Sequence, residues 1–232
     1  MNDFRVYTKK RLNQRSIFSS LHNLSATTLI IAINIIFFLF VLILGLFFGA
    51  ENVVNLVAIQ PLSILAGKNL WTVLTSMFMH AGFLHLFVNM VSLFFIGSFV
   101  ERLIGKVRFL IFYLISGIFA GLFFVLLAFL FKSDMSVYAV GASGAIFALG
   151  GLLAVLTPKL KVYVFFFIPM QMWLGMIFLL GVLWFVSITG SISIGNTAHL
   201  GGLIAGVIYG LYLRGKYKRK IQILNNALAR SF

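Results

Sequence analysis

The serine in Gly141-Ala142-Ser143-Gly144 stands between small residues at the predicted start of an apolar helix, and it is a candidate nucleophile. Small residues in membrane helices more often let two backbones approach each other, so the motif alone does not decide its role. A serine hydroxyl becomes nucleophilic when a base takes its proton, and His199, at the start of another apolar helix, could be that base. Together the two residues predict acyl-transfer chemistry.

His85 and Asn89 are four positions apart, so they share one face of a helix. Both can donate hydrogen bonds, and we expect them to stabilise the oxyanion that develops during acyl transfer. The carboxylate of the usual triad is missing, since all four acidic residues are predicted in loops or on the cytoplasmic side. The pattern therefore predicts a Ser143–His199 dyad whose imidazole packs against Phe147, one turn beyond the serine.

The composition is that of an integral membrane protein. Of the 232 residues, 62% are hydrophobic, 9% are charged and 27 are phenylalanine, which excludes a soluble globular domain. The chain has no cysteine, which excludes a disulfide framework, a zinc ribbon and a thiol nucleophile. We therefore expect an all-α membrane protein that uses neither a metal nor another cofactor.

Long apolar runs predict six membrane spans. Residues 51–79 are interrupted by polar residues too often to cross a bilayer, so they predict a long first outer loop half-sunk in the interface, with Trp71 at headgroup level. Pro169 is expected to bend the fifth span or to mark its start. The predicted spans cover about residues 26–50, 81–100, 109–131, 141–157, 162–188 and 198–213.

The basic residues predict which side of the membrane each loop faces. All but Lys68 and Lys132 of the 18 Lys and Arg fall on the side of both termini, and the positive-inside rule places that side in the cytoplasm. A nucleic-acid partner is then not required to explain the net charge of +14. The predicted domains are a basic cytoplasmic tail at 1–25, a six-span bundle at 26–213, and a second basic tail at 214–232 that is expected to lie on anionic membrane lipids.

This topology places the candidate side chains at one depth. The second, fourth and sixth spans enter from the outer face, so the site is expected slightly below the outer surface. Polar side chains are costly inside a bilayer, which favours a functional reason for their meeting. Small residues three or four positions apart predict that the fourth and sixth spans touch along their backbones. They are Gly144, Ala148 and Gly151 in the fourth span and Gly202, Gly206 and Gly210 in the sixth.

Three motifs follow one another along the chain, namely His80 and His85 with Asn89, then Gly141-x-Ser143-Gly144, then Ala198-His199-x-Gly201-Gly202 followed by Gly206. They resemble the motifs of the rhomboid intramembrane serine proteases, of the prokaryotic six-span type. The resemblance covers about residues 26–213.

The resemblance implies that Ser143 is the nucleophile and His199 the base. It also implies that His85, Asn89 and the backbone N–H of Ser143 form the oxyanion site. The residues with an implied structural role near the site are His80, Gly141, Gly144, Phe147, Gly202 and Gly206.

Rhomboids cleave transmembrane segments of other membrane proteins, and their fifth span gates access from the lipid. The resemblance therefore implies transmembrane protein substrates, a prokaryotic plasma membrane, and a site toward the outer face.

The sequence departs from the family pattern at two positions. Thr72 follows Trp71 where arginine is usual, so Glu101 is expected to lack an arginine partner, and Phe147 stands where many bacterial members have tyrosine.

Three alternatives stay open. A catalytically inactive rhomboid-like protein could bind transmembrane segments without cutting them. A transporter or channel could be lined by histidine and asparagine, although the sequence shows neither an internal repeat nor a charged residue at mid-depth. A zinc site could use His80, His85 and His199, although no His-Glu-x-x-His motif and no cysteine accompanies them.

Overall fold

A computed structural model describes residues 24–164, 167–190 and 195–230, and these are mostly helical. The predicted tail at 1–25 lies outside the described residues except for Leu24 and Ser25. The helices are α1 (Ala26–Phe48), α2 (Ala50–Val57), α3 (Pro61–Leu65), α4 (Thr72–Thr75), α5 (Phe83–Ser92), α6 (Ser98–Ile104), α7 (Lys106–Phe131), α8 (Ser143–Leu156), α9 (Met172–Gly190), α10 (Asn196–Lys216) and α11 (Lys218–Arg230). The strands are β1 (Lys161–Val164) and β2 (Ile168–Gln171), and a π-helical turn (Leu93–Gly97) joins α5 to α6.

Four helical segments of the described chain are long and apolar enough to cross a membrane, namely α1, α5 with α6, α7 and α9. The other two predicted spans correspond to α8, which has 14 residues, and to α10, which has 21 and is rich in glycine. At 1.5 Å per residue α8 is about 21 Å long, shorter than a hydrocarbon core of about 30 Å. The chain is therefore a multi-pass membrane protein with the predicted helical architecture.

Helix α8 lies at the centre of the bundle, since every residue from Gly144 to Leu153 is buried. It packs most extensively against α10. A Cβ atom added at Gly202 would lie 2.0 Å from the carbonyl oxygen of Gly144, and one added at Gly206 would lie 2.0 Å from that of Ala148. No side chain fits at such distances, so the two backbones touch, and the small residues are what permits it.

The amino end of α1 is tied to α6 by Glu101. Its carboxylate accepts hydrogen bonds from the backbone N–H groups of Ala26 at 2.7 Å and Thr27 at 2.8 Å, and from the Thr27 hydroxyl at 2.7 Å. An anion is favourable at this position because the first N–H groups of a helix have no acceptor within it. Glu101 therefore has partners without an arginine, and Thr72 is buried with its hydroxyl donating to the Asn69 carbonyl.

The predicted first outer loop contains the three short helices α2, α3 and α4. Two side chains from its second half donate to backbone carbonyls of α2, Trp71 Nε1 to Leu56 at 2.8 Å and Thr75 Oγ1 to Val57 at 2.9 Å. The Trp71 side chain is 53% exposed, which suits a residue at headgroup level. The depth of this loop in the membrane stays a prediction.

The predicted start of the fifth span at about residue 162 is wrong, whereas the alternative start at Pro169 lies three residues before the first residue of α9, Met172. Strands β1 and β2 form an antiparallel hairpin that includes Pro169, and α9 begins directly after it. Val162 and Val164 pack against α9, whereas Tyr163 between them is exposed. This two-residue period is typical of a strand, but all three residues are apolar or aromatic, so a search for long apolar runs extends the span through them.

Helical structure continues beyond the predicted boundary at 213, as far as Arg230. Helix α10 runs to Lys216, and α11 follows. Asn225 of α11 donates from Nδ2 to the Leu156 carbonyl at 2.9 Å, and so provides a donor for the last turn of α8. The predicted domain limits, and the contact of this tail with a membrane surface, stay predictions.

Replacing Gly206 with alanine tests the backbone contact. The added Cβ would lie 2.0 Å from the Ala148 carbonyl oxygen and 2.8 Å from the Leu152 nitrogen, so the helices must separate. We expect this overpacking to cost about 1–3 kcal/mol and to lower the melting temperature of the purified protein in detergent. Gly181→Ala is the matched control, because a Cβ there meets no atom within 4 Å and alanine favours the helix. An unchanged melting temperature for Gly206→Ala would contradict the contact.

Candidate active site

The fold brings Ser143 and His199 into contact. Ser143 is the first residue of α8, His199 lies in the first turn of α10, and the serine Oγ is 2.7 Å from the histidine Nε2. The helices touch at Gly144 and Gly202, so the tight backbone contact lies beside this pair. At this distance Nε2 can take the serine proton, which is what activation of a hydroxyl requires.

The ring of Phe147 orients the imidazole of His199. The two rings are stacked, with centroids 4.8 Å apart and planes 22° from parallel, and His199 is 5% exposed. When Nε2 accepts a hydrogen bond from the serine, the neutral ring carries its own hydrogen on Nδ1. That Nδ1 is buried and has no hydrogen-bond partner in the described part of the chain. Packing, rather than a carboxylate, therefore orients this histidine.

Gly141 determines the space between His85 and Ser143. Its φ of +121° is a conformation that side chains rarely adopt, and its N–H donates to the Ser76 carbonyl at 2.8 Å. A Cβ atom at Gly141 would lie 2.9 Å from His85 Nε2 and 3.6 Å from Ser143 Oγ. Because that Cβ is missing, a small atom such as a carbonyl oxygen fits between the two side chains.

His85 and Asn89 each have a hydrogen to donate near this space. The backbone N–H of Ala81 donates to His85 Nδ1 at 3.4 Å, which assigns the hydrogen of the neutral ring to Nε2. Asn89 uses one amide hydrogen on the His85 carbonyl at 2.8 Å, and its second is left for another acceptor. Both side chains border the same cavity as Ser143.

His80 packs edge-on against the ring of His85, with ring centroids 5.1 Å apart, and it does not border that cavity. Its Nδ1 is 3.2 Å from the Phe78 carbonyl oxygen. Burial, with the nearby His85, lowers the pKa of His80 to about 4, so the ring is neutral at physiological pH.

Among the described residues, no three His, Cys, Asp or Glu side chains are placed to hold a metal ion, so the zinc alternative has no ligand set there.

A cavity of about 720 Å³ extends from this site to α9. One wall carries Ser143, His199, His85 and Asn89, and the wall formed by α9 is apolar. An extended apolar chain could lie in it with one peptide group at Ser143. The lining residues of α9 are Met176, Leu179, Val182, Leu183 and Val186.

Three features of the site do not follow from the sequence analysis. The Ser76 carbonyl positions Gly141 through backbone atoms, which no side-chain pattern reveals. The α9 wall consists of ordinary aliphatic residues. Asn196, one turn before His199, is buried, and its Oδ1 has no partner among the described residues. The sequence feature that could have drawn attention to this asparagine is its position as a polar residue at the start of an apolar helix.

The family model described as Rhomboid domain matches residues 67–216, which include every residue of the candidate site. The chain belongs to the rhomboid family. The resemblance that the motifs predict is thus confirmed, and the site of this rhomboid lies in the part of the chain that family members share.

Three relatives show how far the likeness extends. Rhomboid protease GluP of Bacillus subtilis (strain 168) is 36% identical over 183 residues, which are 78% of this chain and 33% of the relative. RHOMBOID-like protein 1 of Arabidopsis thaliana is 38% identical over 141 residues, 60% of this chain and 33% of the relative. Inactive RHOMBOID-like protein 8 of Arabidopsis thaliana is 34% identical over 95 residues, 40% of this chain and 25% of the relative. This rhomboid spans about a third of the length of the first two relatives, and family membership alone does not make it a protease.

Gly141→Ala tests the space between His85 and Ser143, because the added Cβ must displace His85 Nε2. We expect a fluorophosphonate probe to label Ser143 of the purified rhomboid about 100-fold more slowly, the size of effect that follows the loss of one oxyanion donor. Gly67→Ala is the control, since Gly67 also has a positive φ, +71°, but a Cβ there meets no atom within 4 Å. Equal labelling rates for the two variants would mean that His85 is not needed beside Ser143.

Proposed function

We propose that this rhomboid is a serine endopeptidase that cleaves transmembrane segments of other membrane proteins within the membrane. The observation that carries the proposal is the 2.7 Å distance between Ser143 Oγ and His199 Nε2 in a buried site. Neither transport nor binding alone requires a base beside a serine in the wall of an apolar cavity.

In this proposal Ser143 is the nucleophile and His199 the general base. His199 Nε2 takes the hydroxyl proton while Ser143 Oγ bonds to the carbonyl carbon of the scissile peptide. The C–N bond then breaks, the imidazolium gives the proton to the leaving amine, and the acyl group stays on Ser143 as an ester. A water molecule, deprotonated by His199, then attacks the ester carbonyl carbon, the bond from that carbon to Ser143 Oγ breaks, and the imidazolium returns the proton to Ser143 Oγ. This cycle uses side chains and water, and it requires no cofactor.

Three donors are proposed to bind the oxyanion, namely His85 Nε2–H, the second amide hydrogen of Asn89 and the backbone N–H of Ser143. The backbone donor is supported by the position of Ser143 at the start of α8, where N–H groups have no acceptor within the helix. The positive end of the helix dipole also attracts a negative oxygen. Gly141 leaves the space in which that oxygen would lie.

The residues proposed to support the site act through packing. Phe147 orients His199, and His80 packs on the ring of His85. Gly202 and Gly206, together with the small residues of α8 that they touch, hold α10 close enough for the dyad to form.

Substrate segments are proposed to reach Ser143 from the lipid between α5 and α9. The apolar α9 wall of the 720 Å³ cavity supports this route, because a transmembrane segment carries apolar side chains. No residue of α9 after Leu180 is buried, so the second half of the helix, which carries three of its five cavity-lining residues, packs weakly on the bundle. Weak packing allows α9 to move aside, which agrees with the gating role that the resemblance implies for the fifth span.

Both termini are proposed to face the cytoplasm, with the site toward the outer face. The distribution of basic residues supports this, since only Lys68 and Lys132 lie in the loops on the side of Ser143. The relatives come from a bacterium and a plant, so a prokaryotic plasma membrane stays a prediction.

Removal of either member of the dyad tests the proposed function. Ser143→Ala and His199→Ala should each abolish cleavage of a single-span protein reconstituted with the rhomboid, and the double variant should be no worse, because the pair acts as a unit. The melting temperature of Ser143→Ala should be close to that of the unchanged protein, since only a small hydroxyl is lost. Retained turnover in Ser143→Ala would end its assignment as nucleophile, and no turnover in the unchanged protein with any tested segment would favour the inactive alternative.

Single cysteines test the orientation, because the chain has none of its own. Lys68→Cys should react with a membrane-impermeant maleimide added to intact cells, and Lys218→Cys should react only after the cells are opened. Both residues are exposed, so differences in labelling report their side of the membrane. The opposite pattern would place the site toward the cytoplasm.

A further inference from the structure

A groove of about 500 Å³ runs along the surface of the bundle between α7 and α10. It is separate from the candidate active site, with which it shares no lining residue. Its lining runs from Arg108 to Phe119 on α7, about 16 Å at 1.5 Å per residue. This length is roughly half of a 30 Å hydrocarbon core, so the groove spans one leaflet.

Most of the groove is apolar. The wall from α7 consists mainly of aliphatic and aromatic side chains, and α10 adds a small residue, Ala205, that leaves the groove open. Such a surface is complementary to a hydrocarbon chain. The apolar lining residues are Ile111, Phe112, Ile115, Phe119, Ala205 and Ile208.

The end of the groove nearest the start of α7 is polar and positively charged. Arg108, Tyr209 and Tyr212 line it, and Lys216 lies beside it with its Nζ 3.1 Å from the Tyr212 hydroxyl. Tyr209 is held in place by Phe112, on which it stacks with ring centroids 4.7 Å apart. Arg108 is exposed, and within the described ranges neither cation forms an ion pair with a carboxylate. Two cations and two phenols therefore meet at the mouth of an apolar groove, and no carboxylate of the described residues pairs with either cation.

We propose that this groove binds one anionic phospholipid of the leaflet at the side of the chain termini. Its phosphate lies between Arg108 and Lys216, the hydroxyls of Tyr209 and Tyr212 donate to headgroup oxygens, and one acyl chain lies along α7. The polarity of the groove changes from charged to apolar along its length, as that of a phospholipid does. An apolar helix from another protein would fill the groove but would leave both cations without a counter-ion.

Native mass spectrometry of the purified rhomboid tests the charged end. The unchanged protein is titrated separately with dioleoylphosphatidylglycerol, which is anionic, and with dioleoylphosphatidylcholine. The first molecule of the phosphatidylglycerol should bind more tightly than the first molecule of the phosphatidylcholine. Arg108→Gln combined with Lys216→Gln should weaken binding of the phosphatidylglycerol roughly 30-fold, since each cation near an anionic lipid contributes about a fivefold factor. Lys68→Gln combined with Lys159→Gln is the control, because it removes the same charge from exposed positions outside the groove.

A second variant tests the apolar part without a change of charge. Ala205→Phe fills the groove and should weaken binding of the same lipid by a similar factor. Equal affinity of the unchanged protein for the two lipids would overturn the proposal. An equal loss of affinity for the phosphatidylglycerol in the charge variant and in its control would also overturn it. If Ala205→Phe does not fold, the comparison of the two charge variants still decides the matter, because all four residues they replace are exposed.

Discussion

The contact between the backbones of α8 and α10 is the constraint on which the rest of the structure depends. Gly144, whose carbonyl oxygen touches Gly202, directly follows Ser143, and Gly202 is one turn beyond His199. The residues that allow the helices to touch are thus neighbours of the residues that would do the chemistry. A displacement of about 1 Å between reacting groups can lower a rate roughly 100-fold, so the absence of Cβ atoms at this contact matters for function as much as for stability.

The second constraint is the cost of charge inside a bilayer. A buried carboxylate beside His199 would be expensive to desolvate, and in the described part of the chain none is found there. The Phe147 ring orients the imidazole instead, through an apolar contact that a membrane does not penalise. Glu101, in contrast, lies where the amino end of α1 provides N–H donors for its charge. The charged Glu101 thus lies beside backbone donors, and the aromatic Phe147 lies in the apolar interior.

Much of the site could be predicted from the sequence because membrane spans restrict where residues can meet. Alternating spans and a common depth are enough to bring Ser143, His199, His85 and Asn89 to one layer, and the glycine spacing indicates which helices touch. The β1–β2 hairpin could not be found in this way, because its strands are as apolar as a span. The partners of Glu101 are also hidden, since two of the three are backbone groups and all lie 74 or 75 residues away.

The most direct test of the central claim, that the α8–α10 contact holds Ser143 and His199 as an active pair, is to map a covalent adduct. The purified rhomboid would be treated with a fluorophosphonate, digested, and its modified peptide identified by mass spectrometry. We predict a single adduct on Ser143 that disappears in His199→Ala, because the serine is nucleophilic only when the imidazole takes its proton. An adduct on another residue, or equal modification of Ser143 in His199→Ala, would contradict the account.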